Sequence, residues 1–263
     1  MFGGFVGFGN NKGGDWGESL INTVASNTIR HLFTHSEAVE VAVKCNPSSK
    51  LLQGTIDSFK MSGRGLVIRR QFRTEEMSFE TDAVSLDFGS AVKGKISLKQ
   101  PTQAIAKVKL SEADINKSFE ADLVRKRLEN LTPDVLTAIS GGKPVSFNNI
   151  EVKLLPGNKV KLTAQASWND TTVPVNLNCV LGISKRRRVL FENIQFEPQD
   201  ISPKLQDTSE KLTNALGEIL NEMVDLDRFN LDGVKLRLNR LETEGKMLLF
   251  SGYAQIERVP QAG

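Results

Sequence analysis

Residues 36–116 decide the fold: SEAVEVAVKC (36–45), PSSKLLQG (47–54), IDSFKMSGRGLVIRR (56–70), MSFETDAVSLDF (77–88) and KQPTQAIAKVKLSEADIN (99–116). Val39, Val41, Val43 and Cys45 alternate with Glu40, Ala42 and Lys44. A period of two predicts a strand with one buried and one wet face. Ala104, Ala106, Val108 and Leu110 repeat the pattern, with Gln103, Lys107 and Lys109 opposite. PSSKLLQG reads as a further strand-like run. In 77–88, Met77, Phe79 and Thr81 set one phase and Val84, Leu86 and Phe88 the other, which predicts a bulge near Asp82–Ala83. A sheet with a single apolar face needs a second layer to cover it.

Outward from this stretch, 1–14 reads as a flexible tail rich in glycine and phenylalanine. Asp15 and Glu18 open a helix whose face holds Trp16, Leu20, Val24 and Leu32, with Ile21, Ile29 and Phe33 beside it. So broad a stripe suits a helix lying in the concavity of a sheet. Ser111, with Asp114 in the reciprocal position, caps a second helix with Ile115, Phe119, Leu123 and Leu128 on its apolar face. The looser segment 132–146 holds Pro133, Gly141, Gly142 and Pro144 and reads as a boundary between two similar halves.

Strand alternation then returns at Ile150, Val152 and Leu154, followed by the hairpin signal Pro156–Gly157–Asn158 and by Val160 to Trp168. The run Val173, Val175, Leu177, Cys179, Leu181, Ile183 is the cleanest alternation in the chain. A third helix, about 205–225, carries Leu205, Leu212, Leu216, Ile219 and Met223, and strands near 234–242 and 246–257 close as a hairpin. The expected class is α+β: a long, twisted, mainly antiparallel sheet curled around amphipathic helices. One elongated domain at 15–258, with a short tail at 259–263, is expected.

With 263 residues, 39% hydrophobic and 25% charged, the chain is ordinary for a water-soluble fold, and no run reaches the roughly 20 apolar residues of a membrane-spanning helix. The start MFGGFVGFGNNKGGDWG lacks the features of a secretory signal, so a cytoplasmic location, peripheral on a membrane surface, is expected. Both cysteines, Cys45 and Cys179, fall on apolar strand faces and read as small buried hydrophobes. His31 and His35 are spaced i, i+4 with no third ligand, which predicts no metal site. Phosphate loops, nucleophile elbows and metal-spaced cysteines are absent from the sequence, so neither a cofactor nor catalysis is expected. Two basic clusters remain: Arg64, Arg69, Arg70 and Arg73, and the run Lys185, Arg186, Arg187, Arg188. They read either as solvated turns or as contacts to an anionic surface. Nucleic acid would call for interleaved aromatic residues, and neither the one tyrosine nor either tryptophan lies beside these clusters.

Four motifs carry a resemblance. Pro47-Ser48-Ser49-Lys50-Leu51-Leu52-x-Gly54, Gly63-x-Gly65-Leu66, Lys99-Gln100-Pro101-x-Gln103-Ala104 and Leu110-Ser111-Glu112-Ala113-Asp114-Ile115-Asn116 resemble the LmeA-like phospholipid-binding proteins, in the form found in photosynthetic bacteria. The likeness is densest over about 15–130. It implies a fold akin to the tubular lipid-binding (TULIP) proteins, an apolar groove for acyl chains, and binding of anionic phospholipid without chemistry.

On this reading the groove draws on Leu20, Val24, Ile115, Phe119, Leu123, Leu216 and Ile219. Arg64, Arg69, Arg70, Arg73 and Lys185–Arg188 meet headgroups at a membrane surface. Two other readings stand beside it: a scaffolding protein with a closed core and exposed strand edges, and a nucleic-acid binder acting through 185–188. Neither the lipid species, nor transfer as against storage, nor the oligomeric state is set by these features.

Overall fold

The computed structural model describes residues 22–23, 25–27, 29–47, 49–68, 70–87, 97–228 and 233–258. The first half contributes β1 (Ala38–Lys44), β2 (Thr55–Ile56), β3 (Ser58–Ile68), β4 (Phe72–Thr81), β5 (Val84–Ser85) and β6 (Thr102–Ser111). The second contributes β7 (Ser146–Leu155), β8 (Lys159–Trp168), β9 (Thr171–Ser184), β10 (Arg188–Phe196), β11 (Val234–Glu244) and β12 (Met247–Ile256). Helices are α1 (Ser49–Leu52), α2 (Glu112–Ser118), α3 (Asp122–Arg125), α4 (Asp134–Ser140) and α5 (Gln206–Met223).

The strands form a six-stranded sheet in the order β1-β3-β4-β6-β12-β11, a four-stranded sheet β10-β9-β8-β7, and the small pair β2-β5. Every pairing between named strands is antiparallel. The class is α+β, with an open, curled sheet. The C-terminal hairpin returns to the first sheet, where β12 pairs with β6 along its whole length. The six-stranded sheet therefore takes strands from both sides of 132–146.

Alternation places the core. On β9, Val173, Val175, Leu177, Cys179 and Leu181 are buried, and β8 answers with Val160, Leu162, Ala164 and Ala166. α5 lies over β9 and β10, with Leu212, Ala215, Leu216 and Leu220 buried at helical spacing. A Cβ on Gly217 would collide with the Ile194 side chain, so glycine lets the helix approach β10 closely. Leu238, Leu241 and Leu248 of the six-stranded sheet join the same core, and it closes the junction of the two sheets.

That junction is also pinned by polar contacts. In the β7–β8 turn, Asn158 donates its backbone N–H to Thr243 Oγ1 at 3.0 Å and its Nδ2 to the Leu241 carbonyl at 3.0 Å. Its Oδ1 accepts from the Thr243 N–H at 2.9 Å. The Arg186 carbonyl accepts from the Leu238 N–H at 2.6 Å.

Three local expectations change. The 47–54 run is not a strand, since it holds the single turn α1. The 77–88 run is not one bulged strand. β4 ends at Thr81, whose hydroxyl turns to the Asp82 carbonyl at 2.8 Å, and Val84–Ser85 then pairs with β2 in the small sheet. The phase change marks a change of sheet. The helix capped by Ser111 stops at Ser118, where the Ser118 hydroxyl donates to the Ile115 carbonyl at 2.6 Å and Phe119 N–H bonds three residues back to Asn116. Leu123 belongs to the separate turn α3. The 1–14 tail and the 259–263 tail lie outside the described residues.

Candidate functional site

The register of the six-stranded sheet assembles one continuous apolar face. One row runs Val41, Met61, Phe79, Ala106, Gly252, Leu238, and the next runs Val43, Phe59, Thr81, Ala104, Ala254, Leu236. Small residues occupy its middle: Ala104 and Ala106 on β6, Gly252 and Ala254 on β12. Gly252 lies under the backbone of Arg237 where the β11 register shifts between Leu238 and Arg240, and a Cβ would strike the Arg237 carbonyl. These short side chains lie between the larger residues of β4 and β11, and Ala104, Ala106 and Ala254 are buried.

The face divides along its length. At one end Leu110, Leu248, Leu241, Leu238 and Phe250 belong to the main core. Further along, Ala104, Ala106 and Ala254 form a separate cluster with Phe79, Val234, Leu236 and Ile256. All seven come from strands of this one sheet. A third cluster, of Val43, Cys45, Ile56 and Val84, reaches Ala25 and Phe59.

The cations are arranged in three ways. Arg73 is a structural hub: its guanidinium donates to Glu37 Oε1 at 2.8 Å, Glu75 Oε2 at 2.7 Å and Asp114 Oδ2 at 2.8 Å. Its hydrogen bonds to Glu37 and Glu75, with the Asp114 charge, raise the Arg73 pKa, and Arg73 in turn lowers that of Glu37. Arg187 and Arg188 join a second network, in which Arg188 Nε donates to Asp225 Oδ2 at 2.8 Å and Arg187 to Asp227 Oδ2 at 2.7 Å. Arg237 donates to Asp227 Oδ1 at 2.6 Å. The Arg187 and Arg237 hydrogen bonds hold the Asp227 carboxyl below its usual range. Burial pushes Asp225 upward, but the Arg188 and Asp227 N–H hydrogen bonds and the charges of Arg187 and Arg188 outweigh it. Arg64, Arg70, Lys185 and Arg186 are exposed, and among the described residues none of them pairs with an acid.

Of the described groove residues, four come together: Leu216 is fully buried in the main core, and Ile219, Ile115 and Phe119 are half-buried against it. Leu123 is 42% exposed and lines a surface depression of about 320 Å³ with Gln71, Phe72, Asp122 and Lys126. Leu20, Val24 and Arg69 lie outside the described residues. The small residues Ala104, Ala106, Gly252 and Ala254 are not among the expected groove residues, although they recur at every second position of their strands.

Among the described residues, no group of three or more His, Cys, Asp and Glu is placed to hold a metal. The His31 ring lies 2.6 Å from the Asn27 carbonyl at a helix end. No described helix is long and apolar enough to cross a membrane. Cys45 and Cys179 are free and buried, and burial pushes the Cys179 thiol up to about 12.

The sequence matches a family model described as LmeA-like phospholipid-binding over residues 13–252. No curated protein and no solved structure matches it.

Proposed function

We infer what this chain does from where it belongs, the LmeA-like phospholipid-binding family. Lipid is accordingly its general class of ligand, and the family is defined by binding rather than by a reaction. The finer reading is that acyl chains lie along the apolar face of the six-stranded sheet, over the floor of Ala104, Ala106, Gly252 and Ala254. The single observation carrying it is the cluster at that floor, whose described members all come from one sheet. Each methylene taken from water there contributes roughly 0.8 kcal/mol, so one chain supplies useful affinity over such a face.

Headgroups of an anionic membrane surface meet cations that form no ion pair among the described residues: Lys185 and Arg186 beside β11, and Arg64 and Arg70 on the β3–β4 hairpin. Arg73, Arg187 and Arg188 act indirectly, by fixing the elements that carry these groups. The chain works without catalysis, as a peripheral holder or carrier of phospholipid. Assembly through the edges of the four-stranded sheet is disfavoured, because Asn116 and Asn221 side chains occupy backbone groups on β7 and β10.

Extraction of the purified chain followed by mass spectrometry tests this reading. Phospholipid recovered in fixed proportion to protein is expected, and Ala106→Phe is expected to lower the recovery severalfold by filling the floor. Recovery of no lipid from the native chain, together with no uptake from anionic vesicles, would defeat it. A variant that melts like the native chain and still carries the full complement of lipid would move the site elsewhere.

A further inference from the structure

We propose that the outer face of the six-stranded sheet, centred on Ile105 and Tyr253, is a docking surface for an anionic bilayer. The two residues stand opposite each other in the β6–β12 ladder and are 52% and 44% exposed. Antiparallel sheets with one buried face place polar residues outward, and these two break that rule side by side. Directly opposed side chains on neighbouring strands touch, so they form one patch and not two scattered hydrophobes.

The charge around the patch has a consistent sign. The Arg186 guanidinium sits 5.7 Å from the centroid of the Tyr253 ring, and its Nη2 donates to Asn239 Oδ1 at 2.5 Å, with no acid in the arrangement. Lys107, two residues along β6 from Ile105, and Lys185 are exposed and make no ion pair among the described residues. Elsewhere on this face Lys60 is matched with Glu80, Lys109 with Glu76, Lys235 with Glu257 and Arg240 with Glu242, while Lys44 and Arg64, on the far strands β1 and β3, form no ion pair among the described residues. Glu80, the acid across from Ile105 on β4, is the partner of Lys60. Three unmatched cations therefore surround one aliphatic and one amphipathic aromatic side chain.

The β9–β10 turn adds a second observation. Lys185 and Arg186 both take positive φ, 48° and 57°, in the tight turn whose usual occupants are asparagine and glycine. Long cationic side chains are thus held at the two positions where they fit the backbone worst. Tyrosine is favoured at the headgroup level of a bilayer, an isoleucine reaches just beneath it, and lysine or arginine beside them meets anionic lipid. This surface is on the opposite side of the sheet from the apolar floor, so docking and acyl-chain binding are separate events. The proposal rests on the reading above only in taking lipid as the partner.

The test is sedimentation of the full chain with phosphatidylcholine vesicles, with and without phosphatidylglycerol. The native chain is expected to sediment only with the anionic vesicles. I105S/Y253S and K107E/K185E/R186E are each expected to weaken that binding by about tenfold or more, and I105S/Y253S to do so with the extracted lipid per chain unchanged. In a Y253W variant, emission is expected to shift to the blue on anionic vesicles, relative to the native chain with its Trp16 and Trp168. Native binding that survives both multiple variants, failure of the native chain to bind anionic vesicles, or an unshifted Y253W would overturn the proposal. Loss of extracted lipid from the native chain with docking intact would defeat the acyl-chain reading and leave this one standing. If a multiple variant fails to fold, the Y253W shift decides.

Discussion

Asn116 on α2 holds both backbone groups of Val152 on β7: Oδ1 accepts from its N–H at 2.7 Å and Nδ2 donates to its carbonyl at 3.0 Å. The side chain takes the place of a neighbouring strand at the edge of the four-stranded sheet. Glu112 of the same helix continues the pairing by accepting from the Leu154 N–H at 2.8 Å. At the opposite edge, Asn221 of α5 does the same for Phe191. Two helices thereby close two edges that would otherwise recruit another chain.

Replacing Asn116 with alanine is expected to destabilise the fold by about 1–3 kcal/mol, because Val152 loses both partners in a half-buried setting. Urea unfolding measures the loss. The variant should also show a greater tendency to self-associate in analytical ultracentrifugation, as an opened edge requires.

Arg73 ties the β3–β4 hairpin to α2 through Asp114, whose side chain is almost fully buried. Arg73→Ala should cost about 2 kcal/mol, less than for a fully buried pair because the arginine is partly solvated. Arg73→Lys should recover only a minor part, since a point charge cannot span Glu37, Glu75 and Asp114 as a planar fork does. Thermal melting of the two variants against the native chain distinguishes these outcomes.

Glu37, Asp225 and Asp227 all have lowered pKa values in the folded chain. A carboxyl whose folded value is depressed adds stability that is present above its unfolded value and lost as pH falls through the folded one. The ordinary values are 4.5 for glutamate and 3.8 for aspartate. Melting temperature should therefore hold steady down to that range and fall steeply below it. Asp225→Asn should flatten part of the slope, and an unchanged slope would show that the Asp225–Asp227 network does not govern acid unfolding.

Gly65 sits at φ +57°, and a Cβ there would strike the Glu37 side chain, the partner of Arg73. The β3–β4 pairing skips it, passing from Arg64↔Glu76 to Leu66↔Thr74. Gly65→Ala is expected to cost about 1–2 kcal/mol for the left-handed backbone alone, before any displacement of Glu37. The same substitution at Gly141, also left-handed but with open space around it, should cost only the backbone share. Parallel denaturation curves give the comparison.

Cys179 is 3% exposed, with its thiol pushed up to about 12, and Cys45 is 1% exposed, its Sγ 3.4 Å from the Thr55 carbonyl. Neither should react with a thiol reagent near pH 8 in the folded chain, and both should react in denaturant. Rapid labelling of the native chain would contradict this burial.

Much of the fold was legible. The alternation of Val173 to Ile183 placed β9, Pro156–Gly157–Asn158 placed the β7–β8 hairpin, and Ser111 with Asp114 placed the start of α2, where the Asp114 N–H donates to Ser111 Oγ at 3.0 Å. Less of the candidate site was legible. Leu216 has the same helical spacing as a groove residue would, and only the structure places it fully buried in the core shared by α5 and the four-stranded sheet. Arg187 and Arg188 read as free charge in a basic run, but their partners Asp225 and Asp227 lie well along the chain.

The sequence by itself determined the strands, the hairpins and the family, because pleat alternation, turn residues and capping side chains are properties of near neighbours. The tertiary structure decided which strands share a sheet, bringing the C-terminal hairpin back to β6, and so set Ala104 and Ala106 beside Gly252 and Ala254. It also decided which cations are neutralised and which form no ion pair among the described residues, Arg188 against Asp225 but Lys107 beside Ile105. Such matters depend on pairings between distant segments, where the apolar area buried and the ion pairs formed are decided by the whole chain at once.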